Sequence, residues 1–229
     1  MAKLELLEKK HVADNVWSFV FDAHPGVHWT AGEFIRVELP HDHPDTEGTK
    51  RWFTVSAAPF EKHPQISTRV TGTTFKQALA NLPVGGELEL LEAPSGDFVW
   101  EERGLPMVFV AAGIGITPFR SILAERHHRG EKLPVTLIYG NRTEAIPFKE
   151  EFDEYAREHP EFTVQYVTGQ MLTATKLMEL VPELKESLVY VSGPEPMVEA
   201  IGDELREQGM PDQNLKQDFF PNYDEKSGL

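Results

Sequence analysis

The sequence contains no cysteine. Disulfides, thiolate zinc sites and cysteine-held iron–sulfur clusters are therefore excluded within this chain. Any electron chemistry has to use an organic cofactor, a haem or a partner. Long apolar runs are absent too; none approaches the roughly 20 residues of a membrane-spanning helix. The opening Met-Ala-Lys-Leu-Glu-Leu-Leu-Glu-Lys-Lys alternates charge with leucine and lacks the apolar core of a secretion signal. These absences set the expectation of a soluble, cytoplasmic protein with no membrane insertion. Positive charge is scarce: 22 Lys and Arg against 37 Asp and Glu give a net charge of −15. Such a surface repels nucleic acid and anionic membranes. It suits plain solubility, and it would also suit a basic protein partner. No serine sits in a Gly-x-Ser-x-Gly elbow, which argues against a hydrolase of that type.

What is present is ample for a core. Of 229 residues, 40% are hydrophobic and 10% aromatic, enough for one large domain or two small ones. Residues 1 to about 100 read as short strands: Leu4–Lys10, Val16–Phe21, Phe34–Leu39, Trp52–Ser56, Ile66–Val70 and Glu87–Leu91. They alternate or carry β-branched and aromatic residues, with turn residues between them. Strands of this length predict an antiparallel barrel of six strands with Greek-key connections, because closure removes the sheet edges. One helix interrupts them, with Phe75, Leu79 and Leu82 at helical spacing and Thr73 or Thr74 as its cap.

From Leu105 the rhythm becomes strand, turn, helix, repeated. Strands are expected at Val108–Ala112, Val135–Tyr139, Phe162–Val167, Leu188–Val191 and Leu215–Phe219. That alternation predicts a Rossmann-like α/β domain with a parallel sheet of five strands. The polar stretch Trp100–Gly104 is the expected boundary, giving a barrel domain over 1–102 and a nucleotide-binding α/β domain over 103–229. Val108–Leu123 is the first strand–turn–helix unit. Gly113 and Gly115 permit a tight turn and close approach to a ligand; Thr117 is the expected cap and Pro118 suits the first helical position. Free amides at such a helix start attract phosphate. Read alone, the turn is open to either a ligand role or a plain βα connection.

Arg51-Trp-Phe-Thr-Val-Ser56 is the second informative stretch. An arginine forks onto two phosphate oxygens, and the strand beside it offers an aromatic face and hydroxyls. It is followed in order by Gly72-Thr-Thr-Phe-Lys76, Glu92-Ala-Pro-Ser-Gly-Asp-Phe98, Ala111-Ala-Gly-Ile-Gly-Ile-Thr-Pro118, Tyr139-Gly-Asn-Arg-Thr143, Val191-Ser-Gly-Pro-Glu-Pro-Met197 and Phe219-Phe-Pro-Asn-Tyr223. In this order and spacing the set resembles the ferredoxin–NADP reductase superfamily of flavoenzymes, across essentially the whole chain.

The resemblance implies a barrel that holds FAD and a parallel domain that holds NADPH or NADH. It places Arg51 on the FAD phosphates and Trp52 and Phe53 beside the flavin, Phe53 standing where the family usually has tyrosine. Thr54 takes the position that hydrogen-bonds flavin N5, with Ser56 close by. Arg69, Val70 and Thr71 would run along the flavin. Gly72, Thr73 and Thr74 would meet the pyrophosphate. In the second domain the resemblance implies Gly113, Gly115, Thr117 and Pro118 around the dinucleotide, and Asn141 and Arg142 near the adenosine ribose. Ser192 stands where many members carry a cysteine by the nicotinamide, and Gly193 and Pro194 start the next helix. Phe219, Phe220 or Tyr223 would cover the flavin. Thr54 and Ser192 are the expected catalytic positions. The electron acceptor is expected to be a separate redox protein: a ferredoxin, flavodoxin, cytochrome or oxygenase component. No fused iron–sulfur or globin module is expected. The alternatives are a free-flavin reductase and a flavin electron-transfer subunit of a larger complex. His41-Asp-His43 lies in a proline-rich loop with no third ligand in sequence, so no metal is expected. His127-His128 is expected simply to complement a helix dipole.

Overall fold

A computed structural model describes residues 2–23 and 27–220. The first half forms six antiparallel strands: β1 (Ala2–Ala13), β2 (Val16–Ala23), β3 (Phe34–Glu38), β4 (Lys50–Thr54), β5 (Gln65–Arg69) and β6 (Glu87–Ser95). Their order around the sheet is β4-β3-β6-β1-β2-β5. A single antiparallel bridge, Val55 to Ile66, brings the two edge strands together, so the barrel is nearly closed. Alternation explains its core. Leu4 and Leu6 on β1, Phe19 and Phe21 on β2, and Ile35 and Val37 on β3 all point inward. Helix α1 (Thr74–Asn81) adds Phe75 and Leu79 to that core. Thr73 caps α1 by accepting the Lys76 amide, as its position predicts.

The second half is a parallel sheet of β7 (Met107–Ala112), β8 (Val135–Asn141), β9 (Thr163–Thr168), β10 (Leu188–Pro194) and β11 (Leu215–Phe220). The order β11-β10-β7-β8-β9 puts β7 in the centre, with successive strands running out to one side and then the other. This is the switch point, outside which ligands of such sheets bind. The continuous apolar run of β7 feeds two cores: Phe109 and Ala111 join one, Val108 and Val110 the other. Four helices cover the faces: α2 (Thr117–His128), α3 (Lys149–Glu158), α4 (Ala174–Leu180) and α5 (Glu195–Glu207).

Two local expectations need correction. Thr117 is the first residue of α2, not its cap, because the chain enters through a 3-10 turn over Gly113–Ile116. Ile116 is already helical, so no extended residue is there to cap; the Thr117 hydroxyl donates instead to the Ile114 carbonyl at 3.0 Å. The His127-His128 pair does end α2, but neither ring is left to the dipole alone. His128 stacks on Phe60 at 4.0 Å, and His127 Nδ1 lies 2.9 Å from His159 Nε2.

Helix α2 is wedged between sheet and barrel, so its polar side is buried as well. Ser121 donates to the Ala57 carbonyl at 2.7 Å, and Glu125 accepts the Phe60 amide. Arg120 donates to the Ser56 carbonyl and forks onto Glu61, while its Nε meets Glu151 at 3.1 Å. Burial alone would lower the affinity of this guanidinium for its proton. The two carboxylates outweigh that and keep it firmly charged.

Candidate functional site

The start of α1 is the charged corner of the barrel. The Thr74 amide donates to Asp45 Oδ2 at 2.9 Å, and the Asp45 amide donates to Thr74 Oγ1 at 3.0 Å. His41 Nε2 meets the same hydroxyl, and its Nδ1 meets the Leu39 carbonyl, so both His41 nitrogens are spent on the chain. The Thr74 amide bond is the main reason that the Asp45 carboxyl lies below its ordinary range. Arg51 reaches the same corner from β4. Its Nη1 donates to the carbonyls of Glu47, Gly48 and Lys50, and its guanidinium lies 5.1 Å from the Phe75 ring centre. Its Nη2 sits 2.9 Å from the Glu47 carboxylate, without alignment for a hydrogen bond. Lys76 is buried beside them. Burial pushes its ammonium down to about 8, the charges of Arg51 and Arg69 add to this, and Glu47 opposes it. Three cations and two carboxylates therefore converge on one helix start.

The rest of the barrel edge runs from this corner toward the sheet. Trp52 is partly exposed, with Arg36 over its ring at 5.1 Å. Phe53 is buried in the core, 5.8 Å from Phe75, and Thr54 is buried beside it. The Ser56 hydroxyl is used inside the barrel, where it donates to the Gln65 carbonyl and pairs with Ser67 at 2.7 Å. Arg69 Nη1 donates to Asn15 Oδ1, and the Val70 amide donates to the Asn15 carbonyl. The Thr71 carbonyl accepts the Thr73 amide, which turns the chain at Gly72 into α1.

The sheet contributes an uncharged turn. Residues Gly113–Ile116 touch β5, so the switch point faces the barrel. Gly113 adopts a left-handed φ of +53°, with open space where a Cβ would stand. Its carbonyl accepts the Tyr139 hydroxyl at 3.0 Å. Gly115 is also required by packing. A Cβ there would lie 2.4 Å from the Ser192 carbonyl oxygen, so β10 itself requires this glycine. Thr117 and Pro118 are buried behind the turn. At the end of β8, Asn141 is 8% exposed, with its side-chain amide beside the Tyr139 hydroxyl. Arg142 follows it on the surface.

Parallel pairing of β10 with β11 places Ser192 opposite Asp218, and the serine hydroxyl donates to Asp218 Oδ2 at 3.3 Å. Burial pushes the Asp218 carboxyl up to about 6; the hydroxyl opposes this and the charge of Asp97 adds to it. Gly193 lies against α5, where a Cβ would meet Met197 Cε at 2.9 Å, and Pro194 ends β10 ahead of α5. Phe219 is partly exposed at the end of β11. Tyr223 lies outside the described residues.

The oxidoreductase NAD-binding domain profile matches residues 109–203, the part of the chain that contains this turn and β10. The ferredoxin reductase component of 3-ketosteroid-9-alpha-monooxygenase from Mycolicibacterium smegmatis is 28% identical across 95% of this chain. The fold matches the flavohem-like FAD/NAD-binding domain of nitric oxide dioxygenase from Vibrio cholerae O1 biovar El Tor, with a TM-score of 0.81 and 23% identity, over 96% of this chain and 98% of that one. The chain therefore shares this two-domain fold and carries an oxidoreductase NAD-binding domain in its second half. Flavohemoprotein A of Dictyostelium discoideum is also similar, 25% identical over 93% of this chain. The chain spans 58% of that relative and 65% of the mycobacterial one. The charged corner of the barrel and the turn after β7 each lead into a helix.

Several residues at these corners were not singled out from sequence. Asp45, Glu47 and Asn15 carried no signal, since polar residues in a loop or hairpin are ordinary. Lys76 carried a faint one: a lysine directly after the core residue Phe75, on a short helix. Asp218 had none, because its partner Ser192 lies 26 positions away and only strand pairing joins them.

Proposed function

We propose that this chain is a flavin-dependent reductase that takes reducing equivalents from NADPH or NADH and delivers them to a separate redox protein. The observation that carries the reading is the cluster of Arg51, Lys76 and Arg69 at the start of α1, in a chain of net charge −15. Three cations around helix amides suit a diphosphate, and Asp45 on the Thr74 amide already stands in as an anion. The residues present therefore fit FAD. When bound, it supplies the conversion of two-electron donors into one-electron transfers, which no side chain here can perform.

The chain's own part is to bind, orient and exclude water. Arg51, Lys76 and the Thr74 amide would hold the diphosphate. Thr54, buried at the barrel edge, would direct its hydroxyl to the flavin ring. The turn Gly113–Ile116, pressed on β5, would set the nicotinamide against the same ring, with Ser192 beside it. Orientation of this sort supplies most of the acceleration that a protein can give to such a transfer. The division at residues 102 and 103 belongs to this proposal. The similar ferredoxin reductase component favours a protein acceptor of the kind found in oxygenase systems.

The test is anaerobic titration of the FAD-loaded protein with NADH and with NADPH. Bleaching of the flavin absorbance by either is the expected result; no bleaching by both removes the reductase reading. Thr54→Ala is expected to slow that bleaching while FAD stays bound, and an unchanged rate removes Thr54 from the mechanism. A colourless protein that reduces added riboflavin would favour the free-flavin alternative.

A further inference from the structure

The FAD reading leaves one observation unused: the barrel's anion corner is already filled by the chain itself. Asp45 and Thr74 exchange two hydrogen bonds, carboxylate from amide and hydroxyl from amide. Glu47 lies against Arg51, and the carbonyls of Glu47 and Gly48 take the same guanidinium. The segment that brings them is short and folded on itself. Asp45 Oδ1 accepts the Glu47 amide, the Asp45 carbonyl accepts the Gly48 amide, and Gly48 turns with a φ of +73°. Thr46 and Glu47 are exposed, so the segment lies on the outside of the corner rather than within the core.

We infer that Asp45 and Glu47 form an internal competitor for the diphosphate of FAD, and that the segment 41–49 releases α1 and Arg51 when the cofactor binds. This rests on the flavin reading above. The charges argue for exchange over addition. Latched, the corner sets Arg51, Lys76 and Arg69 against two carboxylates. A dinucleotide diphosphate brings two more negative charges. Added without release, it would face both carboxylates at contact distance and find the Thr74 amide already used. With release, one pair of anions replaces another on the same donors. The competition acts on phosphate alone, so riboflavin, which has none, does not feel it. Asp45 and Glu47 therefore set how strongly the site prefers the dinucleotide.

The experiment is flavin titration of the FAD-free full chain, followed by quenching of flavin fluorescence. Asp45→Asn/Glu47→Gln is expected to bind FAD roughly tenfold more tightly than the wild type, about the factor that a helix-terminus charge and its partner can supply. Riboflavin affinity is expected to stay within about twofold. Glu47→Gln alone, which leaves the Thr74 latch intact, is expected to give a smaller gain of the same sign. Amide hydrogen exchange of the wild type supplies a readout without mutation: segment 41–49 exchanges faster with FAD than without it. Equal or weaker FAD binding by the variants, or unchanged exchange in the segment, overturns the inference while FAD still binds. Failure of FAD to bind any of these proteins removes the flavin reading itself, and the inference with it.

Discussion

At the start of α1 the barrel assembles charge: Arg51, Lys76 and Arg69 against Asp45 and Glu47. The turn that leads into α2, Ala112 to Pro118, carries no charged side chain and offers backbone, small residues, the buried Ile114 and Ile116 and a buried threonine. Both corners precede a helix. The difference lies in how each is kept in shape. The charged corner is flexible in composition, because any anion of suitable reach can satisfy it, including one from the chain itself. The uncharged corner is fixed by contact: Gly115 is pressed on Ser192, and no side chain can be placed between them. One corner is thus open to competition and titration, whereas the other is open only to steric disruption.

The Arg120 clamp, which ties α2 to the barrel at Ser56 and Glu61 and to α3 at Glu151, should show the largest effect. Arg120→Ala leaves the carboxylates Glu61 and Glu151 facing each other across the domain interface. A loss of about 3–5 kcal/mol in denaturant unfolding is expected, as for breaking a buried ion pair from one side. A loss under about 1 kcal/mol would mean that water takes over the clamp.

Next comes the steric corner. Gly115→Ala should cost about 3 kcal/mol, since the new methyl would meet backbone rather than a movable side chain. Gly113→Ala, with open space around it, should cost only about 1 kcal/mol, from its left-handed φ. Equal losses by the two in thermal or denaturant unfolding would contradict the assignment of Gly115 to packing.

The charged corner should respond to pH. The Lys76 ammonium sits at about 8 because burial disfavours its charge. A bound diphosphate favours that charge, so binding between about pH 8 and 10 should take up a proton, and FAD affinity should fall as pH rises through that range. Calorimetry in buffers of different ionisation enthalpy measures the uptake directly. Lys76→Met should abolish it and weaken FAD binding by about 1–2 kcal/mol.

The smallest expected effect lies at Asp218, beside the uncharged corner. Its carboxyl is raised to about 6 in the fold, from an ordinary 3.8. The folded chain therefore holds this proton more tightly than the unfolded one. Its contribution to stability is complete below about pH 4 and is lost as pH rises through about 6. Asp218→Asn should recover about 1–2 kcal/mol at pH 8 and leave stability at pH 4 nearly unchanged. A variant equally altered at both pH values would show that the carboxyl is not strained by burial.

Much of this was legible along the chain. Strand alternation located every barrel strand, with β4 shifted two residues toward the N-terminus because Lys50 and Arg51 pair with Glu38 and Val37. The change of rhythm after Leu105 announced the parallel sheet, and the ordered motifs pointed to the two-domain fold and to the NAD-binding domain that the second half matches. The expected cap at Thr117 failed because a 3-10 turn continues directly into α2, a choice set by the crowded approach of β10 rather than by local preference. Arg51 drew attention as a candidate phosphate ligand, and only the fold shows it held by the carbonyls and carboxylate of its own loop.

Periodicity and turn chemistry are local, so the sequence by itself determined which segments become strands and helices and which faces they bury. Charge pairing and close approach join residues far apart in the chain, so only the tertiary structure decided their use. It set Asp45 on Thr74, 29 positions away, and Ser192 on Asp218, 26 positions away. It made Gly115 a packing necessity, and it turned a cluster of cations into a site that its own loop contests.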